Sequence, residues 1–335
     1  MTRALITTVP FGEVDSASLV LLDEAGIEYV INPIGRRLTE AELVSLVPGF
    51  DVLIAGTGPI TERVMEAAPQ LRLISRVGVG LDNVDLLAAR ARGIAVAYTP
   101  EGPADAVAEL TIGLALSLLR GVHLANAAIR QGVWTRIQGR RLAQVTVGVV
   151  GVGRIGRRVI RLLSAFGARI LANDLVSMTL DEPVRWVDKR TLYREADIVT
   201  VHVPLTRLTR NLVGAEELAM MQPGALLINT CRGGVVDEAA LAAALRDGRM
   251  AGAAVDTFTH EPYHGELVNV DTCLITAHMG SMSADCRLRM EYGAARNAVA
   301  FLCGEPLDEL VPESEYTMRA SEREPGRVVT IAGER

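Results

Sequence analysis

The feature that most constrains this chain is Gly151-Val152-Gly153-Arg154-Ile155-Gly156, set between an apolar run, Val145 to Val150, and a helical pattern reaching about Ala165. Strand, glycine-rich turn and helix in that order specify a parallel α/β unit whose helix N-terminus is open to an anion. Gly151 permits the tight turn, Gly153 lets a pyrophosphate approach the backbone, and Gly156 lets helix and strand pack closely. The spacing alone is a weak signal. Here, however, the next predicted strand, Arg169 to Asn173, ends at Asp174, 18 residues after Gly156. A carboxylate at that place accepts both ribose hydroxyls of a dinucleotide and repels a 2′-phosphate, which favours NAD over NADP. Arg154 lies inside the turn and reads as a pyrophosphate partner.

The rest of the chain repeats the same alternation. Short β-branched or apolar runs at Ala4 to Thr8, Ile27 to Ile31, Asp51 to Ala55, Leu71 to Arg76 and Ile94 to Ala97 read as strands, with helical patterns at Ser16 to Ala25, Thr39 to Leu46, Thr61 to Ala67 and Val84 to Arg92 between them. A second series runs from Val145 to Val150 through Arg169 to Asn173, Asp197 to Val201, Ala225 to Asn229, Gly252 to Val255 and Cys273 to Thr276. With 335 residues, 49% of them hydrophobic, two α/β domains can each bury a core. The expected division is residues 1–98 plus a returning helical segment, 287–311, in one domain and 99–286 in the other. Charge, Ser, Gly and Pro without periodicity mark 312–335 as a mobile tail. Ala104 to Arg120 carries Leu110, Ile112, Leu114, Leu116, Leu118 and Leu119, which leave almost no polar face. Such a helix must be buried, between the domains or against a second subunit, so a homodimer is expected.

Composition excludes several classes of function. The net charge of −6 supplies no global positive field for nucleic acid or anionic membrane. Apolar runs stop well short of the ~20 residues of a membrane helix, and the N-terminus has no charged-then-apolar leader. A cytoplasmic location is expected. Cys231, Cys273, Cys286 and Cys303 include no C-x-x-C pair, so neither a disulfide framework nor a metal site is expected. Lys189 is the only lysine.

Beyond the glycine turn the chain offers Asn229-Thr230-Cys231-Arg232-Gly233-Gly234, then Asp256-Thr257-Phe258-Thr259-His260-Glu261-Pro262, then Thr276-Ala277-His278-Met279-Gly280; upstream it has Arg76-Val77-Gly78-Val79-Gly80-Leu81-Asp82-Asn83 and Asp105-Ala106-Val107-Ala108-Glu109. With these motifs, from about Ala55 to Gly304, the sequence resembles the NAD-dependent D-isomer-specific 2-hydroxyacid dehydrogenases, in particular their 3-phosphoglycerate dehydrogenase branch. The resemblance implies two Rossmann- or flavodoxin-like, doubly wound parallel-sheet domains with the active site in the cleft. Arg232, Glu261 and His278 then match the catalytic arginine, glutamate and histidine. The same likeness implies that Ile155, His202, Val203, Pro204, Thr209, Thr230, Cys231, Asp256 and Gly280 join the glycine turn in holding NAD. His202 to Pro204 would lie on the adenine side and Asp256 on the nicotinamide amide. It also implies that the turn Val77-Gly78-Val79-Gly80 holds the substrate carboxylate through backbone N–H groups opposite Arg232.

The chemistry explains the residue types. Reducing a 2-oxo acid builds negative charge on the carbonyl oxygen, so a general acid must reach that oxygen; in the reverse direction the same group accepts the hydroxyl proton. His278 fits that task, and a neighbouring Glu261 would fix its tautomer. A carboxylate substrate calls for a planar, bidentate donor, which a guanidinium supplies and an ammonium does not. His260 and His264 also stand near Glu261 but rank below His278. Cys231 reads as a small packing residue rather than a nucleophile.

The likeness frays in Ala55-Gly56-Thr57-Gly58-Pro59-Ile60-Thr61, where phosphoglycerate dehydrogenases commonly carry a basic residue and this chain has none. A 3-phosphoglycerate or phosphonate-bearing substrate would need Arg76, Arg36, Arg37 or a neighbouring subunit's arginine; a small apolar 2-hydroxy acid would not. An NAD(H)-sensing binding protein on a dehydrogenase fold and a phosphite- or formate-type dehydrogenase are the alternative readings.

Overall fold

The computed structural model describes residues 2–307 and 309–323. The chain divides into two compact units, one with the residues up to Pro103 and from Ser283 onward, the other Ala104–Met282. In the first unit β1 (Arg3–Ile6), β2 (Glu28–Ile31), β3 (Val52–Ala55), β4 (Leu73–Arg76) and β5 (Ala95–Ala97) alternate with α1 (Ala17–Glu24), α2 (Glu40–Leu46), α3 (Glu62–Glu66) and α4 (Leu86–Ala91). The five strands pair in parallel in the order β2-β1-β3-β4-β5. β3 and β4 are buried at every residue, as strands covered by helices on both faces must be, whereas β2 at the edge is only half-buried or exposed. The helices begin where the sequence supplies an oxygen: Thr39, Thr61 and Asp85 each accept a backbone N–H from the first turn of α2, α3 and α4.

The second unit opens with α5 (Ala104–Arg120) and α6 (Val122–Arg130). Its sheet follows: β6 (Thr146–Val150), β7 (Arg169–Asn173), β8 (Arg185–Trp186), β9 (Ile198–Val201), β10 (Leu226–Asn229), β11 (Gly252–Val255) and β12 (Cys273–Ile275), with α7 (Arg154–Ala165), α8 (Lys189–Glu195), α9 (Ala215–Met220) and α10 (Glu238–Arg246) between them. All seven strands are parallel in the order β12-β11-β10-β9-β6-β7-β8. The order reverses between β6 and β9, and open sheets of this kind take ligands at such a reversal, beyond the carboxyl ends of the strands.

The apolar helix α5 finds its cover inside this unit. Val107, Ala108, Ile112, Leu114, Ala115, Leu118 and Leu119 are buried against α7 and the strands β10 and β11. The burial expected of it therefore needs no second subunit. The exposed apolar side chains come next in the chain: α6 buries nothing, and Val122, Ile129, Val133 and Trp134 stand in solvent, Trp134 at 78% exposure. Among the described residues no single helix is long and apolar enough to cross a membrane.

The chain then returns to the first unit as α11 (Ala284–Cys303) and α12 (Glu313–Arg323). The unit boundaries differ by a few residues from 98 and 287, for identifiable reasons. The Thr99 backbone and hydroxyl bond back to Gly78 and Arg76. α11 is one continuous helix from Ala284, and its Arg287 forms a buried pair with Glu291 at 2.5 Å. Arg287 also donates to the Pro10 carbonyl, and Glu291 accepts the Gly12 N–H at 2.8 Å. Where the sequence reads as a mobile tail from 312, residues 313–323 are helical instead. Arg90 grips Glu313 with two bonds of 2.7 and 2.6 Å and lies 3.5 Å over the ring of Tyr316, which is buried with Val311 against the first unit's core. Just before it, the Tyr98 N–H donates to Glu309 and the Val311 N–H to Val96, adding an antiparallel rung to the free side of β5. Residues 324–335 lie outside the described residues.

Candidate active site

Every residue the sequence assigns to proton transfer or to the dinucleotide lies in the second unit, on segments that follow the carboxyl ends of β6, β7, β9, β10, β11 and β12. The glycine turn closes β6 onto α7. Gly151 has φ +91°, and a Cβ there would lie 2.5 Å from the His202 carbonyl oxygen. A Cβ at Gly156 would fall 2.0 Å from the Gly151 oxygen, so no other residue fits either place. Gly153 has open space before the N-terminus of α7, the room a pyrophosphate needs. Asp174 follows β7 and folds its carboxylate onto the turn, accepting N–H bonds from Val152 and Leu175 at 2.6 Å each. The acid expected at the ribose thus also braces the glycine turn.

The segment after β9 is held internally. His202 shares a hydrogen bond with the Thr200 hydroxyl at 2.9 Å, while its Nδ1 is buried with no partner, and burial pushes its pKa down to about 3. Its ring is therefore neutral, a packing surface rather than a base. Thr209 donates to the Pro204 carbonyl at 2.6 Å, closing the loop that carries Val203 and Pro204. After β10, Thr230 meets Thr111 of α5 hydroxyl to hydroxyl at 2.9 Å. Cys231 is buried in the core, with Sγ 3.1 Å from Asn229 Oδ1; burial raises its thiol pKa, consistent with packing rather than attack. Asn229 also accepts the Cys231 N–H and donates to the Arg232 carbonyl at 3.0 Å. The backbone at Arg232 is thereby fixed while its guanidinium remains only partly buried. A Cβ at Gly233 would sit 1.9 Å from the Phe258 carbonyl carbon, which brings the Arg232 loop directly against the segment leading to Glu261.

Glu261 accepts the Phe258 N–H through Oε1, and both its oxygens lie 3.0 Å from Nδ1 of His278. The imidazole is thereby oriented with Nδ1 on the carboxylate and Nε2 left for other work. His260 and His264 are exposed and take no part in this pair.

The first-unit turn after β4 is tied down differently. Arg76 is 5% exposed; it donates to Asn83 Oδ1, to the Ala55 carbonyl and to the Val77 carbonyl. Two of the four N–H groups expected at a substrate carboxylate are already engaged, Val77 by the Ala55 carbonyl and Gly78 by the Thr99 hydroxyl. Those of Val79 and Gly80 take no partner among the described residues.

Comparison with known proteins agrees with this arrangement. Residues 112–280 match the family described as "D-isomer specific 2-hydroxyacid dehydrogenase, NAD binding domain". The chain belongs to that family. The dehydrogenase is 36% identical to a hydroxypyruvate reductase of Thermotoga maritima over 82% of its own length and 90% of the relative's. It is 37% identical to a D-3-phosphoglycerate dehydrogenase of Methanocaldococcus jannaschii over 88% of its length, which is 57% of that longer protein. A crystal structure of a Thermus thermophilus protein, 36% identical, superposes with a TM-score of 0.85 over 93% of this chain and all of the other. The dehydrogenase is accordingly an NAD-dependent oxidoreductase of CH–OH donors on two parallel α/β domains, the second of which carries the NAD-binding match. Asn229 and Thr276 open two of the quoted motifs without a role being read for them, and Thr111 lies in none. Each is a small polar residue whose role shows only in what it touches.

Proposed function

We propose that this dehydrogenase interconverts a small D-2-hydroxy acid without a phosphate group and its 2-oxo acid, with His278 as the proton-transfer residue. The observation that carries this reading is the Glu261–His278 pair, which leaves one imidazole nitrogen for a substrate oxygen. NAD bound at the glycine turn supplies or takes up the hydride. In reduction, Nε2 of His278 gives its proton to the carbonyl oxygen as C2 becomes tetrahedral; in oxidation the neutral ring takes the hydroxyl proton. Glu261 keeps Nδ1 occupied in both directions, so the proton moves through Nε2 alone. Arg232 supplies a planar pair of donors to the substrate carboxylate. Within the first unit, the backbone N–H groups of Val79 and Gly80 are the ones left for an anion.

The absence of a phosphate is argued from the cations. The segment Ala55–Thr61 has none, Arg76 is buried among carbonyls, and Arg36 is paired with Glu42 at 2.6 Å. A phosphate dianion would find the guanidinium groups of Arg76 and Arg36 already engaged. The relative named hydroxypyruvate reductase supports the same class. We also infer a cytoplasmic homodimer. Four free cysteines suit a reducing compartment, and the exposed Val122, Ile129, Val133 and Trp134 offer a second copy an apolar patch. Sedimentation of a Trp134→Glu variant as a monomer beside a dimeric parent supports the homodimer; a monomeric parent removes it.

The test of function is NADH consumption with glyoxylate, pyruvate, hydroxypyruvate and phosphohydroxypyruvate, beside His278→Ala. Turnover of the unphosphorylated acids that is lost in the variant supports the reading. Turnover confined to phosphohydroxypyruvate overturns the substrate class, and turnover that survives in His278→Ala overturns the catalytic assignment.

A further inference from the structure

One residue of β11's exit binds three consecutive amides of another strand's exit. The N–H of His278 donates to the Asp256 carbonyl at 2.8 Å, that of Met279 to Asp256 Oδ1 at 2.8 Å, and that of Gly280 to Asp256 Oδ2 at 2.9 Å. The Thr276 hydroxyl adds a fourth bond to Oδ1 at 2.5 Å. Asp256 is fully buried, and its own N–H is fixed to the Asn229 carbonyl at 2.9 Å. The backbone it holds is one a histidine does not adopt freely: His278 has φ +49°, the left-handed region, which costs a non-glycine residue of order 1 kcal/mol or more. Left-handed backbone at one residue points successive N–H groups into a common concavity, and a carboxylate fills it.

We propose that Asp256 is a positioning residue for the proton-transfer histidine, its carboxylate and the Thr276 hydroxyl together holding the His278-Met279-Gly280 turn in the left-handed form that presents the ring to Glu261 and to substrate. This inference rests on His278 being the proton-transfer residue. It gives Asp256 a duty apart from the nicotinamide contact that the family resemblance implies, because two of the three donors around its carboxylate oxygens are N–H groups of the turn itself and the third is the Thr276 hydroxyl just before it. An asparagine could not replace it. Its amide has one acceptor oxygen, and its NH2 would face another donor.

Two substitutions test the proposal. Asp256→Asn lowers kcat on the order of a hundredfold, the scale expected for a misplaced reacting group, while NADH affinity, read by fluorescence, changes far less. Thr276→Val removes one donor at a residue that the family resemblance assigns to neither cofactor nor substrate. It lowers kcat about tenfold with KM for the 2-oxo acid nearly unchanged, and Thr276→Ser restores kcat by returning the hydroxyl. Should Asp256→Asn fail to fold, the threonine pair carries the test alone. Asp256→Asn that weakens NADH binding yet retains kcat at saturating NADH overturns the proposal in favour of a cofactor contact. Thr276→Val with kcat intact and only a lowered Tm overturns it in favour of a stabilising role. Turnover surviving in His278→Ala is a different result, since it removes the catalytic reading beneath both.

Discussion

Two strand-end turns, one in each unit, are tied down by groups of opposite sign. After β12 a buried anion, Asp256, accepts from successive N–H groups, so the backbone donors of that turn are consumed and what it offers is a side chain, His278. After β4 a buried cation, Arg76, donates to carbonyls of the turn and of its neighbouring loop, so carbonyls are consumed and what remains are the N–H groups of Val79 and Gly80. The sign of the buried anchor thus decides which kind of backbone group a turn keeps for a ligand. A cation beneath the second turn also suits the binding of an anionic carboxylate above it.

The contrast is broken most sharply by removing what each turn presents. His278→Ala should lower kcat on the order of a thousandfold, within the usual range for a general acid, with the unfolding midpoint nearly unchanged; steady-state kinetics and calorimetry check both. Arg76→Met should do the reverse. It strands the Val77 carbonyl and Asn83 Oδ1 without their donor, while the Ala55 carbonyl keeps the Val77 N–H, so stability falls by about 1–3 kcal/mol, and KM for the 2-oxo acid rises more than kcat falls; denaturant titration and kinetics check this.

A third strand-end group, His202 after β9, sharpens the comparison because it is buried without a charged anchor. Its imidazole stays neutral down to about pH 3, whereas in the unfolded chain it takes a proton near pH 6.5. The unfolded state therefore binds more protons across that window, and stability falls as pH drops from 6.5 toward 3. The loss between pH 6.5 and 4.5 is about 2 kcal/mol from this residue. His202→Gln should flatten that arm in acid-titrated urea denaturation. The smallest effect is a difference in labelling. Cys303 is exposed while Cys231, Cys273 and Cys286 are buried, so iodoacetamide on the native protein should modify Cys303 and spare Cys231 despite its place beside Arg232.

Much of this was legible beforehand. Strand and helix alternation follows from short apolar runs separated by capped helices, and the glycine turn follows from contacts that only a hydrogen in place of Cβ allows. Arg232, Glu261 and His278 stand in motifs that the sequence displays, and the roles proposed for them are what the family resemblance implies. What sequence withheld is direction. Arg76 reads equally as a substrate cation or a strand-end charge, and only its burial among carbonyls decides between them. The last helix looked like solvated tail because its sequence is polar; its docking rests on one ring, Tyr316, and one guanidinium from α4, a contact between residues far apart in sequence. α5 was correctly read as buried but assigned the wrong cover, since periodicity says that a face is apolar and not what meets it.

The rung that Glu309 and Val311 add to β5 bears on how this protein can go wrong. A sheet with two bare margins can grow into a ribbon, each copy templating the next. Here one margin is occupied by the chain's own later segment, and in this five-stranded sheet only β2 remains open among the described residues. Copies that meet through β2 can therefore pair there but cannot extend this sheet from its other side, and loss of the segment from Glu309 onward would leave it two open margins instead of one.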